Sequence, residues 1–317
     1  MARYPDGLPQ TRGQACITDA GLETSLVFID KLDLPCFAAF PLVDSVTGRK
    51  HLGDYFRPFL ELAAERGAGF VIDTPTWRAN SDWGEKLGYE GDALAEANRR
   101  SVVFTRELVD MVPAAAPVIV NGVLGPRGDG YRAEARMTPD EAQAYHAPQI
   151  AALADAGVDM LAGVTMTYAE EAIGIAHAAA EAGLPCAISF TVETDGRLPS
   201  GQGLKDAIGQ TDAETGGSVA YYMINCAHPT HFEAALAEDG PWLERIMGVR
   251  ANASRMSHAE LDEAPELDRG DPPDLARRYV ELRRRLPNLT VLGGCCGTDL
   301  EHVTAICDAV LPARELA

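Results

Sequence analysis

The sequence has no run of about 18 apolar residues, so it offers no segment long enough to cross a bilayer as a helix. Residues 1–13 are polar and interrupted by Pro and Gly; they lack the apolar stretch of a secretory leader. Basic residues are scarce: 27 Lys and Arg face 47 Asp and Glu, for a net charge of -20. Such a surface repels phosphate backbones and anionic lipid, so neither nucleic acid nor a membrane is an expected partner. Seven cysteines, an odd number scattered through 317 residues, do not make a disulfide framework. They fit free thiols or metal ligands in a reducing compartment, and the expected location is cytoplasmic. No linker, low-complexity tract or domain break interrupts residues 1–317, which read as one domain. No Gly-x-Gly-x-x-Gly turn follows the first apolar run, which argues against an open dinucleotide-binding sheet.

What is present is an alternation. Short, nearly continuous apolar runs recur at 15–19, 70–74, 118–122, 159–164, 187–191, 220–225, 246–251 and 290–293. Their composition is that of strands buried on both faces. Helical patterns separate them, at 54–66, 92–111, 138–156, 169–182, 203–214, 229–239, 272–286 and 299–311. Thr138-Pro139-Asp140-Glu141 and Thr298-Asp299-Leu300-Glu301 read as capping boxes, and Asp271-Pro272 as a third helix start. Eight strand–helix units in a chain of this length predict a single closed (β/α)8 barrel, with a doubly wound open sheet as the alternative. The longer Gly-rich connections 123–137 and 192–203 would then lie on the active-site face, and the charged segment 254–271 would be a surface excursion.

Chemistry concentrates in the cysteines. Gly293-Gly294-Cys295-Cys296-Gly297-Thr298 ends the eighth predicted strand, and Asn225-Cys226 ends the sixth. Adjacent cysteines bridge each other only through a strained ring, whereas two soft donors in a Gly-rich turn suit a thiophilic metal. In a barrel both strand ends open on the same mouth, so Cys226, Cys295 and Cys296 can converge on one Zn2+. Three protein thiolates leave a tetrahedral position open, the mark of a catalytic site, and a substrate thiol is the natural ligand for it. Bound there, its pKa falls from about 8.5 and it becomes a nucleophile for an activated methyl group. Cys16, Cys36, Cys186 and Cys307 read as core fillers. His228 reads as a helix-start residue, with a fourth metal ligand as the alternative.

These motifs resemble the homocysteine S-methyltransferase family, and the resemblance runs over most of the chain. It rests first on Asn225-Cys226 with Gly-Gly-Cys-Cys-Gly-Thr at 293–298. Supporting matches are Thr18-Asp19-Ala20-Gly21-Leu22-Glu23-Thr24, Asp73-Thr74-Pro75-Thr76, Gly125-Pro126-Arg127-Gly128-Asp129, Ala156-Gly157-Val158-Asp159 and Ser189-Phe190-Thr191-Val192-Glu193. The resemblance implies a (β/α)8 barrel and a zinc-dependent S-methyltransferase with Cys226, Cys295 and Cys296 as ligands and catalytic centre. Carried over by position, Asp19, Gly21, Thr74, Asn225 and Asn252 become the substrate-binding residues, with Asp19 near the substrate amine and Thr74 near its carboxylate. The expected partners are a small thiol and a methyl donor; a homo-oligomer is left open.

Departures from the family pattern cluster around the amino-acid grip. The family's Glu-Thr at the end of the fourth strand, whose Glu binds the homocysteine amine, is here Val164-Thr165. Its Tyr-Pro-Asn on the seventh strand is Arg250-Ala251-Asn252, its Gly before Ile-Asn-Cys is Met223, and its double Gly after Asp19 is Ala20-Gly21. L-homocysteine giving methionine is the expected reaction, and a different thiol or selenol is the alternative acceptor. Glu170, Glu171 or Glu193 could supply the missing carboxylate. With no extension of the kind found in betaine-using relatives, and no folate or cobalamin module, the expected donor is a sulfonium, S-methylmethionine or S-adenosylmethionine. A non-catalytic zinc–thiol binding barrel and a thioether lyase are readings from other classes.

Overall fold

The computed structural model describes residues 3–4, 6–112, 116–134, 136–264 and 266–311. Eight parallel strands close in sequence order into a barrel: β1 (Cys16–Ile17), β2 (Gly69–Asp73), β3 (Val118–Leu124), β4 (Met160–Met166), β5 (Cys186–Phe190), β6 (Tyr221–Asn225), β7 (Ile246–Ala251) and β8 (Val291–Gly294). β1 closes the ring, pairing Cys16 with Gly69 on one side and Val291 on the other. Eleven helices are described, in chain order: α1 (Leu22–Phe28), α2 (Val46–Arg66), α3 (Ser81–Lys86), α4 (Asp92–Met111), α5 (Pro139–Asp155), α6 (Ala169–Glu181), α7 (Leu204–Thr215), α8 (Pro229–Phe232), α9 (His258–Glu263), α10 (Pro272–Arg285) and α11 (Leu300–Val310). Among the described residues no helix is long and apolar enough to cross a membrane.

The main core lies between the strands and the helix layer, where Phe56, Leu60, Phe70, Ile150, Ile175, Phe190 and Tyr279 are buried. The barrel interior is a second apolar cluster containing Val71, Ile119, Met160, Ala187, Tyr221 and Val291. Below it a 3-10 turn, Pro9–Arg12, plugs the bottom: Gln10 is fully buried and donates to the Tyr221 hydroxyl at 3.3 Å. Strand periodicity carries the inward face upward two residues at a time. One step up, it exchanges apolar side chains for Asp73, Asn121, Ser189, Asn225 and Arg250, all buried. The barrel therefore ends, at its C-terminal mouth, in a polar layer beneath the cysteines.

All eight expected strands exist, with ends shifted by a residue or two, and β1 is reduced to two residues. Thr138 and Glu141 form the expected capping box, and Asp271 caps α10. At α11 the cap is Asp299 rather than Thr298, with His302 closing the box. The Thr298 hydroxyl is engaged instead on the Cys295 carbonyl at 2.7 Å, holding the cysteine turn closed. The helix expected at 229–239 shortens to α8 and a 3-10 turn, Ala235–Ala237.

Candidate active site

The three predicted ligands come together. The Sγ atoms of Cys226, Cys295 and Cys296 all lie within 4.8 Å of one another, Cys226 and Cys296 at 3.9 Å. Cys226 is buried and the other two half-buried. Backbone shape makes this convergence. Cys226 adopts a left-handed φ of 53°, turning its side chain back over the mouth as β6 ends. Gly293 and Gly294 let β8 run hard against its neighbours: a Cβ there would fall 1.9 Å from Thr18 Oγ1 and 2.0 Å from Thr298 Oγ1. Gly21 abuts the same turn, where a Cβ would lie 2.7 Å from the Cys295 carbonyl oxygen. Cys296 is held well below the usual thiol range by hydrogen bonds from Cys226 and Cys295. Cys226 is pushed well above it by its hydrogen bonds to the other two and by burial.

Asn225 organises the rim. Its Oδ1 accepts from the Thr165 amide (3.0 Å) and the Ser189 hydroxyl (2.6 Å), and its Nδ2 donates to Thr165 Oγ1 (2.8 Å). Thr165 needs this clamp, because a β-branched residue at φ 66° is strained. Tyr131, from the 123–137 connection, brings its hydroxyl 3.7 Å from both Cys226 and Cys296. Its ring stacks on His258 at 4.0 Å, and His258 donates from Nε2 to the Cys226 carbonyl at 2.6 Å.

Two adjoining cavities open here. The inner one, ≈ 90 Å³, touches all three cysteines; the outer one, ≈ 330 Å³, touches only Cys296. Trp77, Phe37, Thr24 and Tyr131 stand between them, and Trp77 is fixed by a 3.1 Å bond from Nε1 to the Val164 carbonyl. The outer wall adds Arg78, Asp129, Glu266 and Asp268. Segment 254–271, expected as a surface excursion, thus builds one side of this chamber, whereas 192–203 lines neither cavity.

Of the expected substrate-binding residues, Asp19, Gly21, Thr74 and Asn225 line the inner cavity and Asn252 does not. Asp19 is already engaged: Oδ1 accepts from Arg250 at 2.7 Å and Oδ2 from the Tyr55 hydroxyl at 3.0 Å. Burial lifts it to about 6 against the pull of Arg250. Arg250 also pairs with Asp73, whose other oxygen accepts from Asn121 at 2.7 Å. Burial works against the guanidinium charge, but Asp73 and Asp19 more than offset it and its pKa is raised. The Thr74 hydroxyl is likewise used, 2.7 Å from that of Thr76 and accepting from the Val123 amide at 3.1 Å. His228 is the N-cap of α8, its ring accepting from the Thr230 amide, as a helix-start residue should.

The carboxylates expected to replace a fourth-strand Glu lie elsewhere. Glu170 pairs with Arg136, Glu171 is buried against His146, and Glu193 sits 3.2 Å from His258. Glu23, at the start of α1, lines the inner cavity instead, and burial raises it to about 7. The sequence showed Glu23 and Arg250 without signalling a role for either. Each matters through the direction it faces across the mouth, which spacing along one strand or helix does not reveal.

The model of the homocysteine S-methyltransferase family matches residues 16–310. Homocysteine S-methyltransferase 4 of Zea mays is 25% identical, covering 97% of this chain and 93% of the maize protein. Homocysteine S-methyltransferase 2 of Arabidopsis thaliana is also 25% identical, covering 98% and 97%. Among solved structures, the metallated form of the homocysteine methyltransferase MmuM from Escherichia coli superimposes with a TM-score of 0.71 at 19% identity. That match covers 92% of this chain and 95% of MmuM, and it shows a shared fold.

Proposed function

The chain belongs to the homocysteine S-methyltransferase family, and from that premise we propose that it moves a methyl group from a sulfonium donor to the sulfur of a small thiol, L-homocysteine giving methionine. The observation that carries the reading is the convergence of three thiols on the floor of a cavity at the C-terminal mouth of a barrel. Their donor set fits zinc: three sulfurs close enough to share one ion, with no fourth cysteine, histidine or carboxylate in the group among the described residues. When bound, zinc supplies a thiophilic Lewis acid that brings the acceptor thiol's pKa down from about 8.5, so that the sulfur is nucleophilic at neutral pH.

The remaining work falls to the chain. The inner cavity holds the acceptor, since only there can its sulfur meet all three cysteines. The outer cavity receives the donor, and its composition favours a cation. Asp129, Glu266 and Asp268 outweigh the single cation on its wall, Arg78. Trp77 and Tyr131 keep the two reactants adjacent and shielded from water. Such positioning contributes several kcal/mol, up to about 7–11 in well-oriented intramolecular reactions. The activity belongs in the cytoplasm, in keeping with free cysteines throughout the described structure.

The test combines metal analysis with a thiol-methylation assay on reduced protein, offering S-methylmethionine or S-adenosylmethionine with L-homocysteine. One zinc per chain with methionine formed is expected. Cys226→Ser and Cys295→Ser should each lose both metal and turnover; full activity in a metal-free variant would sink the reading.

A further inference from the structure

An amino-acid acceptor brings an ammonium group, and a buried cation needs a carboxylate able to receive it. Three carboxylates line the inner cavity: Asp19, Asp73 and Glu23. The first two are spent within the protein. All four of their oxygens have partners, namely Arg250 twice, Tyr55 and Asn121, and their two charges meet one buried guanidinium. Glu23 differs. Among the described residues it joins no ion pair, and its carboxylate takes a hydrogen bond only from its own backbone amide. The cation acting on it most is Arg78, which makes no ion pair with it among the described residues. That guanidinium lies over the Trp77 and Trp83 rings, 4.1 and 3.9 Å from their centroids, and donates to the Gly128 carbonyl at 2.8 Å. Glu23 lines the inner cavity and not the outer one, which places it on the acceptor's side of the cysteines. The carboxylates of the outer chamber, Asp129, Glu266 and Asp268, are a separate group on the donor's side.

Resting on the methyl-transfer reading above, we propose that Glu23 holds the ammonium group of the acceptor, which makes it the residue that selects an aminothiol, while Arg250 withholds Asp19 and Asp73 from that role. Glu23 is a specificity determinant and takes no part in the bond changes. The start of α1 therefore does for this chain what the end of β4, with Val164 on the cavity wall, is not equipped to do.

The experiment compares L-homocysteine with 4-mercaptobutyrate, which has the same carboxylate and thiol but no amine. Wild type, Glu23→Gln and Glu23→Asp are measured as zinc-loaded protein, with zinc content as the check on folding. In Glu23→Gln the KM for L-homocysteine should rise about 10- to 100-fold, the worth of one charge-assisted hydrogen bond, with a much smaller change in kcat. The KM values for 4-mercaptobutyrate and for the donor should stay within about twofold on the same grounds, and Glu23→Asp should recover part of the loss. An unchanged preference between the two thiols, or an effect on the donor KM instead, overturns the assignment. Calorimetric binding of the two thiols separates the two levels of inference. If wild type binds L-homocysteine through Glu23 but methylates neither thiol, the methyl-transfer reading fails while the ammonium site stands.

Discussion

Replacing Arg250 by Met tests whether the polar layer of the barrel is held by charge. The Met side chain follows the course of the arginine stem, so little apolar packing is lost, while the guanidinium that serves Asp19 and Asp73 disappears. Both carboxylates are then left in the barrel mouth, with side-chain exposures of 2% and 13% and only Tyr55 and Asn121 as neutral partners. Removing one member of a buried ion pair costs about 3–5 kcal/mol, because the charge left behind is uncompensated. For a chain of 317 residues that corresponds to a fall in melting temperature of about 5–8 °C at pH 8.

The pH dependence gives this prediction its specificity. In the wild type Asp19 is lifted to about 6, above its unfolded value near 4. The folded state thus binds the proton more tightly than the unfolded one. Stability associated with Asp19 is complete below about pH 4 and is lost as pH rises through about 6. Removing the cation leaves burial and the Asp73 charge acting on Asp19 unopposed, so its folded pKa rises further and the loss extends to higher pH. The gap between Arg250→Met and wild type should therefore be largest near pH 8 and fall to less than half near pH 5. Thermal scans at matched rates at both pH values measure it, and Asp19→Asn in the Arg250→Met background should recover much of the loss at pH 8. Equal destabilisation at both pH values would refute the reasoning, since a cavity or a packing defect does not titrate.

Two further outcomes follow from the cysteine turn and its clamp. Gly21→Ala drives a Cβ against the Cys295–Cys296 backbone, with the Cys295 carbonyl oxygen at 2.7 Å and Cys296 Cα at 3.2 Å. An overpacking cost of about 1–3 kcal/mol falls on the ligand turn, so zinc affinity in a chelator competition should drop about 10- to 100-fold; unchanged affinity would mean that the turn is not shaped by this contact. Asn225→Ala removes both bonds that hold Thr165 at φ 66°. The acceptor KM should rise about tenfold, with zinc retained, as Thr165 relaxes away from the cavity; loss of zinc with KM unchanged would place Asn225 in support of the metal ligands instead.

Much of the barrel was legible because its signals are local. Val118–Val120 or Ile188–Phe190 can only be buried on both faces, and Thr138 with Glu141 closes its cap within one turn. The cysteine cluster was legible for a related reason: cysteines immediately after β6 and β8 must face the same mouth once the sheet closes. The electrostatic pattern was not legible, because Asp19, Asp73 and Arg250 lie on three strand ends brought together only by closure. Position alone gave Asp19 to the substrate amine, yet its oxygens are turned to Arg250 and Tyr55. Segment 254–271 looked like surface because of its charge, and the same charge lines a chamber.

These placements have a common logic. A barrel mouth that buries two aspartates must pair them or keep them protonated, and Arg250 pairs with both from the end of β7. A guanidinium so engaged cannot be displaced by an incoming ammonium without exposing two carboxylates to each other, which on the proposal above assigns the triad to the scaffold. On the proposal above, selectivity then comes from a carboxylate the fold leaves without an ion pair, and in the inner cavity that group is Glu23. It sits on the first turn of a short helix, not on a strand of the barrel. The cost is a carboxylate raised by burial to about 7, and an acceptor's ammonium would oppose that shift, since a nearby positive charge favours the ionised form.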